Sequence, residues 1–220
     1  LTSAHALNTK QDWRAHLRGA RDLLLKLNTL QRSAALPILV FCKYWYSLIE
    51  ILAGLLLDFG GTLKREEEMD TLVSSGFSHE VAIMKNFKLV SKNGYNLIYG
   101  YPNKCVELLR DLAKFLNKLR EGVVPDADEV LGLLADFNLW RKETQILKTG
   151  LLEGNQYDPK YDVIGSLIDT FTEPGSDSGQ KFQICWPDMS HLAYTIAAQI
   201  TLLTRGLGLL ATSVPVQQLV

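Results

Sequence analysis

Apolar residues recur at helical spacing along most of the 220-residue chain. The clearest apolar stripe lies near the N-terminus, at Trp13, Leu17, Ala20 and Leu24. Steps of three or four residues place these positions on one face of a helix. A stripe of arginines follows one residue along, at Arg14, Arg18 and Arg21. Gly19 lies within this helix, where glycine lowers helix stability by about 1 kcal/mol relative to alanine. A residue without a side chain at this position predicts that another helix approaches closely there.

A second predicted helix spans residues 37–57, and Pro37 suits its first turn. Its apolar positions cover most of the helix circumference, which is typical of a helix at the centre of a fold. The polar and glycine-rich residues 58–62 end it. The acidic run at residues 66–68 is expected to be a solvated loop or the start of a helix.

Three shorter patterns predict helices in the middle of the chain. Ser78 is expected to cap a helix over residues 79–86. Gly100 allows a turn, after which a helix is expected from Pro102 to about residue 120. A further helix is expected from about residue 126, capped by Asp126, to about residue 147.

The C-terminal third is less regular. Residues 149–187 are interrupted by glycine and proline, and the polar run 173–181 predicts a flexible loop. A final long helix is expected over residues 187–211, and residues 214–220 read as a loop that opens another helix. Residues 1–9 read as the end of a first helix, so the chain is expected to be truncated at both ends. No strand pair is predicted, and the expected fold is an all-α, irregular multi-helix bundle forming one domain over residues 1–220.

Composition agrees with a folded domain. Hydrophobic residues make up 47% of the chain and charged residues 21%, a range typical of globular proteins. The formal net charge of −1 argues against a chain that binds nucleic acid through its overall charge. The N-terminus lacks a signal peptide, and no run of about 18 uninterrupted apolar residues occurs. The sequence is therefore typical of a soluble intracellular protein with no membrane partner.

The three cysteines, Cys42, Cys105 and Cys185, lie far apart in the sequence. Without a Cys-x-x-Cys pair, neither a zinc site nor a redox motif is visible. Free, buried thiols in a reducing compartment are the expectation.

Three segments carry a resemblance to a known family. Residues 13–24 read Trp-x-x-His-Leu-x-Gly-Ala-x-x-Leu-Leu, residues 96–113 contain a Gly-Tyr turn before a leucine-rich helix, and residues 193–220 contain an alanine-rich helix before a proline loop. In this order they resemble signatures of the regulatory domain of fungal zinc binuclear-cluster transcription factors. The chain departs from the family at Tyr99, where a small or apolar residue is usual. The first segment is most similar to the subgroup that regulates amino-acid, including lysine, metabolism.

The resemblance implies a nuclear regulatory domain that senses a metabolite or contacts partner proteins. It also implies that DNA is bound only through an upstream six-cysteine, two-zinc module outside this chain. Zinc is then expected only in that module, and this chain needs no cofactor. A small-molecule effector, a homodimer and the transcription machinery are the implied partners. Regulation would be a population shift, in which the effector binds one conformation more tightly.

The candidate ligand or partner contacts are Trp13, Arg14, His16, Arg18, Tyr44 and Trp45. The four residues of the first helix combine an aromatic ring with hydrogen-bond donors, and the two aromatic residues of the second could line an apolar pocket. The competing interpretations are core packing for the aromatic residues and a capping or core role for His16. For the arginines they are a solvated face or pairing with the acidic second half of the chain. No catalytic or metal-binding residue is predicted.

Two other function classes have less support from the sequence. A structural helical dimerisation domain, such as a kinetochore or centromere-binding subunit of the same architecture, is the alternative. A small-molecule enzyme is disfavoured because each partial motif lacks its partners. His79-Glu80 lacks the second histidine of a zinc protease, since Ile83 stands there. Asp58-Phe59-Gly60 lacks the glycine-rich loop of a kinase.

Overall fold

Two long helices open the part of the fold that the computed structural model describes. The described residues are 13–30, 36–91, 94–124, 126–142, 168–172 and 181–219. Helix α1 spans Trp13–Leu30 and helix α2 spans Pro37–Leu56. Leu17 is buried, and the other apolar residues of its stripe pack partly buried against the core. Pro37 lies in the first turn of α2, as predicted, where its missing N–H needs no partner.

Two short helices follow, α3 at Glu66–Leu72 and α4 at Ser78–Asn86. The acidic run therefore starts a helix, one of its two predicted conformations. Ser78 does not cap α4, contrary to prediction, because it is the first helical residue. The residue before it, Phe77, donates its backbone N–H to a carboxylate oxygen of Glu80 at 2.8 Å, which satisfies a donor that no helical carbonyl accepts.

A two-residue antiparallel ribbon connects α4 to the next helix. Strand β1 (Tyr95–Asn96) pairs with strand β2 (Tyr101–Pro102), with Asn96 opposite Tyr101. Gly100 turns the chain with a φ of 76°, as expected. Pro102 lies in the strand, so the prediction that it opens the helix was wrong. Helix α5 begins only at Cys105.

Helix α5 (Cys105–Arg120) is followed by helix α6 (Ala127–Lys142). Gly122, with a φ of 79°, ends α5, and the carboxylate of Asp126 accepts the N–H of Asp128 at 3.1 Å. The predicted stop and the predicted cap are thus confirmed. The last part of the predicted helix, residues 143–147, lies outside the described residues.

Strands β3 (Ile168–Thr172) and β4 (Lys181–Cys185) form an antiparallel pair. The expectation of no strand pair was therefore wrong. Both segments contain β-branched and aromatic residues on either side of a glycine-, serine- and proline-containing run, which is a hairpin pattern. Helical periodicity in the rest of the chain favoured an all-helical prediction, and the hairpin was therefore not predicted. Of the predicted loop 173–181, only Lys181 is described, and it begins β4.

Helix α7 spans Trp186–Thr201 and continues as a π-helical turn, Leu202–Gly206. The helix predicted to reach residue 211 thus ends early. The N–H of Leu207 donates to the carbonyl of Leu202, five residues back, at 3.0 Å. A short helix α8 (Val214–Gln217) follows. The helix expected within residues 214–220 is therefore present, but it begins at Val214, where a loop was predicted to come first. The helix end expected at residues 1–9 lies outside the described residues.

The core lies between α2 and α5, with the other helices packed around them. The two central helices touch where a Cβ atom on Gly54 would lie 2.9 Å from the Cβ of Ala113. The close approach predicted at Gly19 was wrong for the part of the chain that the structure describes, because a Cβ there would meet none of its atoms within 4 Å. The all-α, single-domain prediction is confirmed, with the two strand pairs as minor additions.

Among the described helices, α2 alone is long and apolar enough to cross a membrane by length and composition. Core helices of folded domains meet the same criteria, and 56% of its apolar window is buried inside the structure. Lys43 and Glu50 are among its buried residues. Its exposed Cys42 contradicts the prediction of buried thiols, whereas Cys105 is buried as predicted.

Candidate functional site

Two arginines from distant elements hold the C-terminal end of α2. The guanidinium of Arg120, at the end of α5, donates to the carbonyls of Gly54 and Leu57 at 2.6 and 2.9 Å. Arg205, in the π-helical turn, donates to the carbonyls of Leu55 and Leu56 at 3.2 and 3.0 Å. The last carbonyls of a helix lack intrahelical donors and carry partial negative charge, so both contacts are favourable.

The arginines of α1 hold the loop that follows. Arg14 donates to the carbonyl of Gly60 at 3.3 Å, and Arg21 donates to that of Thr62 at 3.1 Å. Arg18, between them in the stripe, is exposed. Arg14, Arg21, Arg120 and Arg205 are called the arginine clamp below. Two arginines of the predicted cationic stripe thus bind main-chain carbonyls within the domain.

A buried carboxylate lies beneath the same loop. Glu50 is 4% exposed and accepts hydrogen bonds from two backbone N–H groups. The shortest distance is 2.8 Å from the Thr62 nitrogen, and the Leu63 nitrogen lies at 3.1 Å. The hydroxyls of Thr62 and Tyr46 also donate to it. A Cβ atom on Gly61 would lie 2.1 Å from a Glu50 oxygen, so the loop needs glycine there. Burial, and next the Glu50 charge, raise the pKa of Tyr46.

Positive charge is concentrated around this loop. Burial lowers the pKa of Arg120, and the neighbouring charge of Arg205 lowers it further. The pKa of Lys64 is lowered by burial first and then by Arg120. Like charges disfavour the protonated form, so these shifts indicate cations close to one another.

The structure places Tyr44, a predicted contact residue, in the core. It is 1% exposed, and its hydroxyl donates to the carbonyl of Ser75 at 3.1 Å. Its ring stacks on Tyr99 at a centroid distance of 5.3 Å, and Tyr99 stacks on Tyr101 at 5.3 Å. Tyr194 closes the row with an edge contact at 4.7 Å. Burial, and next the charge of Glu80, raise the pKa of Tyr44 to about 12.

The other predicted contact residues lie at the surface or partly buried. Trp45 is 42% exposed and stacks with Phe41 at a centroid distance of 6.4 Å. His16 is exposed on α1, and Trp13 is half-buried with the Arg14 guanidinium 5.2 Å from its ring centroid. The six residues are not brought together around one cavity among the described residues. Their ligand or partner contacts stay predictions.

An open groove of about 510 Å³ lies beside the start of α7. Its walls are mostly apolar and include Tyr95, Leu97, Trp186, Met189, Ser190 and Ala193. None of the six predicted contact residues lines it. The groove was missed because its two walls lie about ninety residues apart in the sequence. A local signal existed in Trp186-Pro187, an aromatic residue before a helix-opening proline.

The volume of the groove falls in the range of small-molecule sites, and such sites combine apolar walls with a few polar groups. The Ser190 hydroxyl donates to the carbonyl of Gly100, which ties α7 to the β1–β2 ribbon. Within the described ranges, no three His, Cys, Asp or Glu side chains lie close enough to share a metal ion.

Residues 3–220 match the family described as the fungal specific transcription factor domain. The chain belongs to this family. It is also 24% identical to the lysine biosynthesis regulatory protein of Saccharomyces cerevisiae, over 94% of this chain and 30% of that protein. The chain therefore spans less than a third of the length of this relative. No solved structure matches it.

The family match confirms the resemblance read from the three sequence segments, and the relative agrees with the lysine subgroup. Both confirm the predicted class, a regulatory domain of a fungal transcription regulator. The family and the relative are regulators rather than enzymes. Neither comparison supports the alternative of a centromere-binding assembly domain.

Proposed function

We propose that this domain is the effector-responsive part of a nuclear regulator of amino-acid biosynthesis genes, with lysine biosynthesis as the first candidate pathway. The observation that carries the proposal is the family match over residues 3–220, supported by the lysine regulatory relative. In this proposal the domain catalyses no reaction and contacts the transcription machinery. DNA is bound through an upstream zinc-cluster module.

The groove beside α7 is the proposed effector site. It is open to solvent, whereas the aromatic row that includes Tyr44 is closed in the core. Its apolar walls would bind the carbon chain of an amino acid or pathway intermediate, and polar groups at Ser190 and Tyr95 would orient it.

A physical link connects this groove to the centre of the fold. Helix α7 forms one wall of the groove and continues into the π-helical turn that carries Arg205. Arg205 in turn holds the last carbonyls of α2. An effector that binds α7 more tightly in one of its positions would shift the fraction of molecules in which the arginine clamp is formed.

The test is a thermal-shift screen with amino acids and biosynthetic intermediates. An effector at about one hundred times its Kd stabilises by about 3 kcal/mol, which raises the Tm by about 5–10 °C for a domain of this size. Ala193→Trp fills the groove and is expected to abolish the shift. Ala82→Trp, also at an exposed helical alanine, is the matched control and should retain it. A screen without any stabilising compound would contradict the proposed effector response.

A reporter assay tests regulation directly. The chain is fused to an unrelated DNA-binding module and expressed in yeast with and without lysine limitation. The proposal expects reporter output that changes with lysine supply, and it expects Ala193→Trp to remove that dependence. Constant output in every medium would contradict it.

The last part of the proposal is that the domain forms a homodimer through the outer face of α2. Ile38, Phe41 and Trp45 are exposed at successive helical steps, with exposed fractions of 63%, 39% and 42%. Light scattering is expected to show a dimer that Trp45→Glu converts to a monomer. A monomer at all concentrations would contradict this part of the proposal and leave the effector response to its own test.

A further inference from the structure

Two large apolar side chains are exposed where α2 ends. Leu56 is 61% exposed, and Phe59, three residues further, is 77% exposed. Phe59 lies in a loop whose carbonyls are held in place by Lys64 and Arg14, so the exposed ring stands on a fixed backbone. Exposed aromatic side chains next to aliphatic ones are typical of binding surfaces.

Cations surround these two side chains. Lys64 is exposed and donates to the carbonyl of Phe59 at 2.8 Å, and the Arg14 guanidinium lies 5.7 Å from the Phe59 ring centroid. Arg205 is exposed and donates to the carbonyl of Leu56 at 3.0 Å. Every one of these cations thus contacts the same short segment.

Three acidic groups lie near four cations at this place, so one positive charge remains in excess. The acidic groups are Asp58, Glu50 and Glu121, and the cations are Arg14, Lys64, Arg120 and Arg205. Glu121 is exposed, and its charge raises the pKa of Lys64 against the lowering by burial and by Arg120. Asp58 is 91% exposed at its side chain, and its oxygen lies 3.8 Å from Arg205. Glu50 is buried beneath the loop, where its oxygens already accept several hydrogen bonds. Arg120 adds a further cation, which donates to the carbonyl of Asp58 at 3.0 Å.

We propose that this surface, formed by Leu56, Phe59, Lys64 and Arg205, docks an acidic peptide segment that carries apolar side chains. The apolar residues of the peptide would cover Leu56 and Phe59, and its carboxylates would pair with Lys64 and Arg205. Opposite charge would steer the encounter, and burial of the two apolar side chains would supply most of the affinity.

The chemistry favours a peptide over a nucleic acid. A phosphate backbone would be met by a row of cations at regular intervals, whereas here the cations enclose two apolar side chains. The chain as a whole has a formal net charge of −1, which does not favour a long polyanion. A short segment with alternating acidic and apolar residues matches both features.

Fluorescence anisotropy with a labelled peptide of alternating Asp/Glu and Leu/Phe tests the proposal on the 220-residue chain. Micromolar binding that weakens with salt is expected. Phe59→Ser/Lys64→Glu should weaken binding at least tenfold. Both replaced side chains are exposed, and a thermal melt of each variant verifies that the fold persists.

The matched control is Phe87→Ser/Lys85→Glu, which removes another exposed phenylalanine and lysine. These residues lie at the end of α4, a helix joined by Glu80 to Lys43. Lys43 is thirteen residues before Leu56, about 20 Å along α2. The control is expected to bind the peptide as tightly as the unaltered chain.

Three results would overturn the proposal. They are absence of peptide binding, an equal loss of affinity in the control variant, and equal or tighter binding of a duplex DNA or of an acidic peptide with serine at its apolar positions. The proposed effector response is measured by a separate thermal shift. Its failure would leave the peptide-docking result unchanged, and the two failures can therefore be told apart.

Discussion

The ammonium group of Lys43 lies 3.0 Å from each carboxylate oxygen of Glu80, and both side chains are only 8% exposed. The pair joins α2 to α4. Glu80 also accepts the N–H of Phe77, and the Lys43 ammonium lies 5.1 Å from the centroid of the Phe77 ring. Each charge is thus compensated inside the protein, and removing either would leave the other buried without its partner.

Lys43→Met is expected to lower the free energy of unfolding by about 3 kcal/mol, because it leaves the Glu80 carboxylate buried without its cation. Urea denaturation measures the loss. Lys114→Met breaks the ion pair with Asp70, whose side chain is 50% exposed, and should cost about 1 kcal/mol or less. Equal losses in the two variants would contradict a special contribution of the buried pair.

Gly54 and Gly19 make a matched pair of helical glycines. Gly54→Ala is expected to destabilise by about 1–2 kcal/mol, because its new Cβ would lie 2.9 Å from that of Ala113 and would force α2 and α5 apart. Gly19→Ala meets no atom of the described residues and should stabilise by about 0.5–1 kcal/mol through helix propensity. Thermal melts of both variants check the opposite signs.

Glu50→Gln is expected to destabilise by about 2 kcal/mol, because an amide group replaces one of the two oxygens that accept N–H groups of Thr62 and Leu63. Glu67→Gln, at an exposed residue of α3, is the control and should change stability by less than about 0.5 kcal/mol. Chemical denaturation of both gives the comparison. Similar values for the two would argue against Glu50 as the anchor of the loop.

Stability is expected to fall above about pH 10. Tyr44 has a folded pKa of about 12 against an unfolded value of 10.0, and burial raises the pKa values of Tyr46, Tyr99 and Tyr101 as well. Above the unfolded pKa the unfolded chain binds fewer protons than the folded one, so stability decreases as pH rises. Urea unfolding from about pH 9 to about pH 11 measures the decrease. Tyr44→Phe should reduce its slope, and a flat profile would contradict the burial of these hydroxyls.

Local pattern predicts much of this fold. The stripe that begins at Trp13, the apolar circumference of α2 and the cap at Asp126 depend on residues within one or two helical turns. Such signals act over short sequence distances. The predicted opening of a helix at Pro102 failed for a tertiary reason, because that residue pairs with Tyr95 in a ribbon.

The site depends on contacts between residues that lie far apart in the sequence, and no local periodicity predicts such contacts. Arg205 and Leu55 are 150 residues apart, and Lys43 and Glu80 are 37 apart. The arginine stripe of α1 predicts a cationic face but not which arginines bind carbonyls of the loop after α2. Gly54 and Gly19 look alike in sequence, and only packing distinguishes them.

The contact of Arg205 with the end of α2 determines how the domain can be shortened. A fragment that stopped after α7 would leave the carbonyls of Leu55 and Leu56 without these donors and would expose Phe115, against which Gly206 packs. Any minimal folding unit must therefore extend through the π-helical turn. Deletion series that seek the smallest active piece of this domain should place their last cut beyond residue 206.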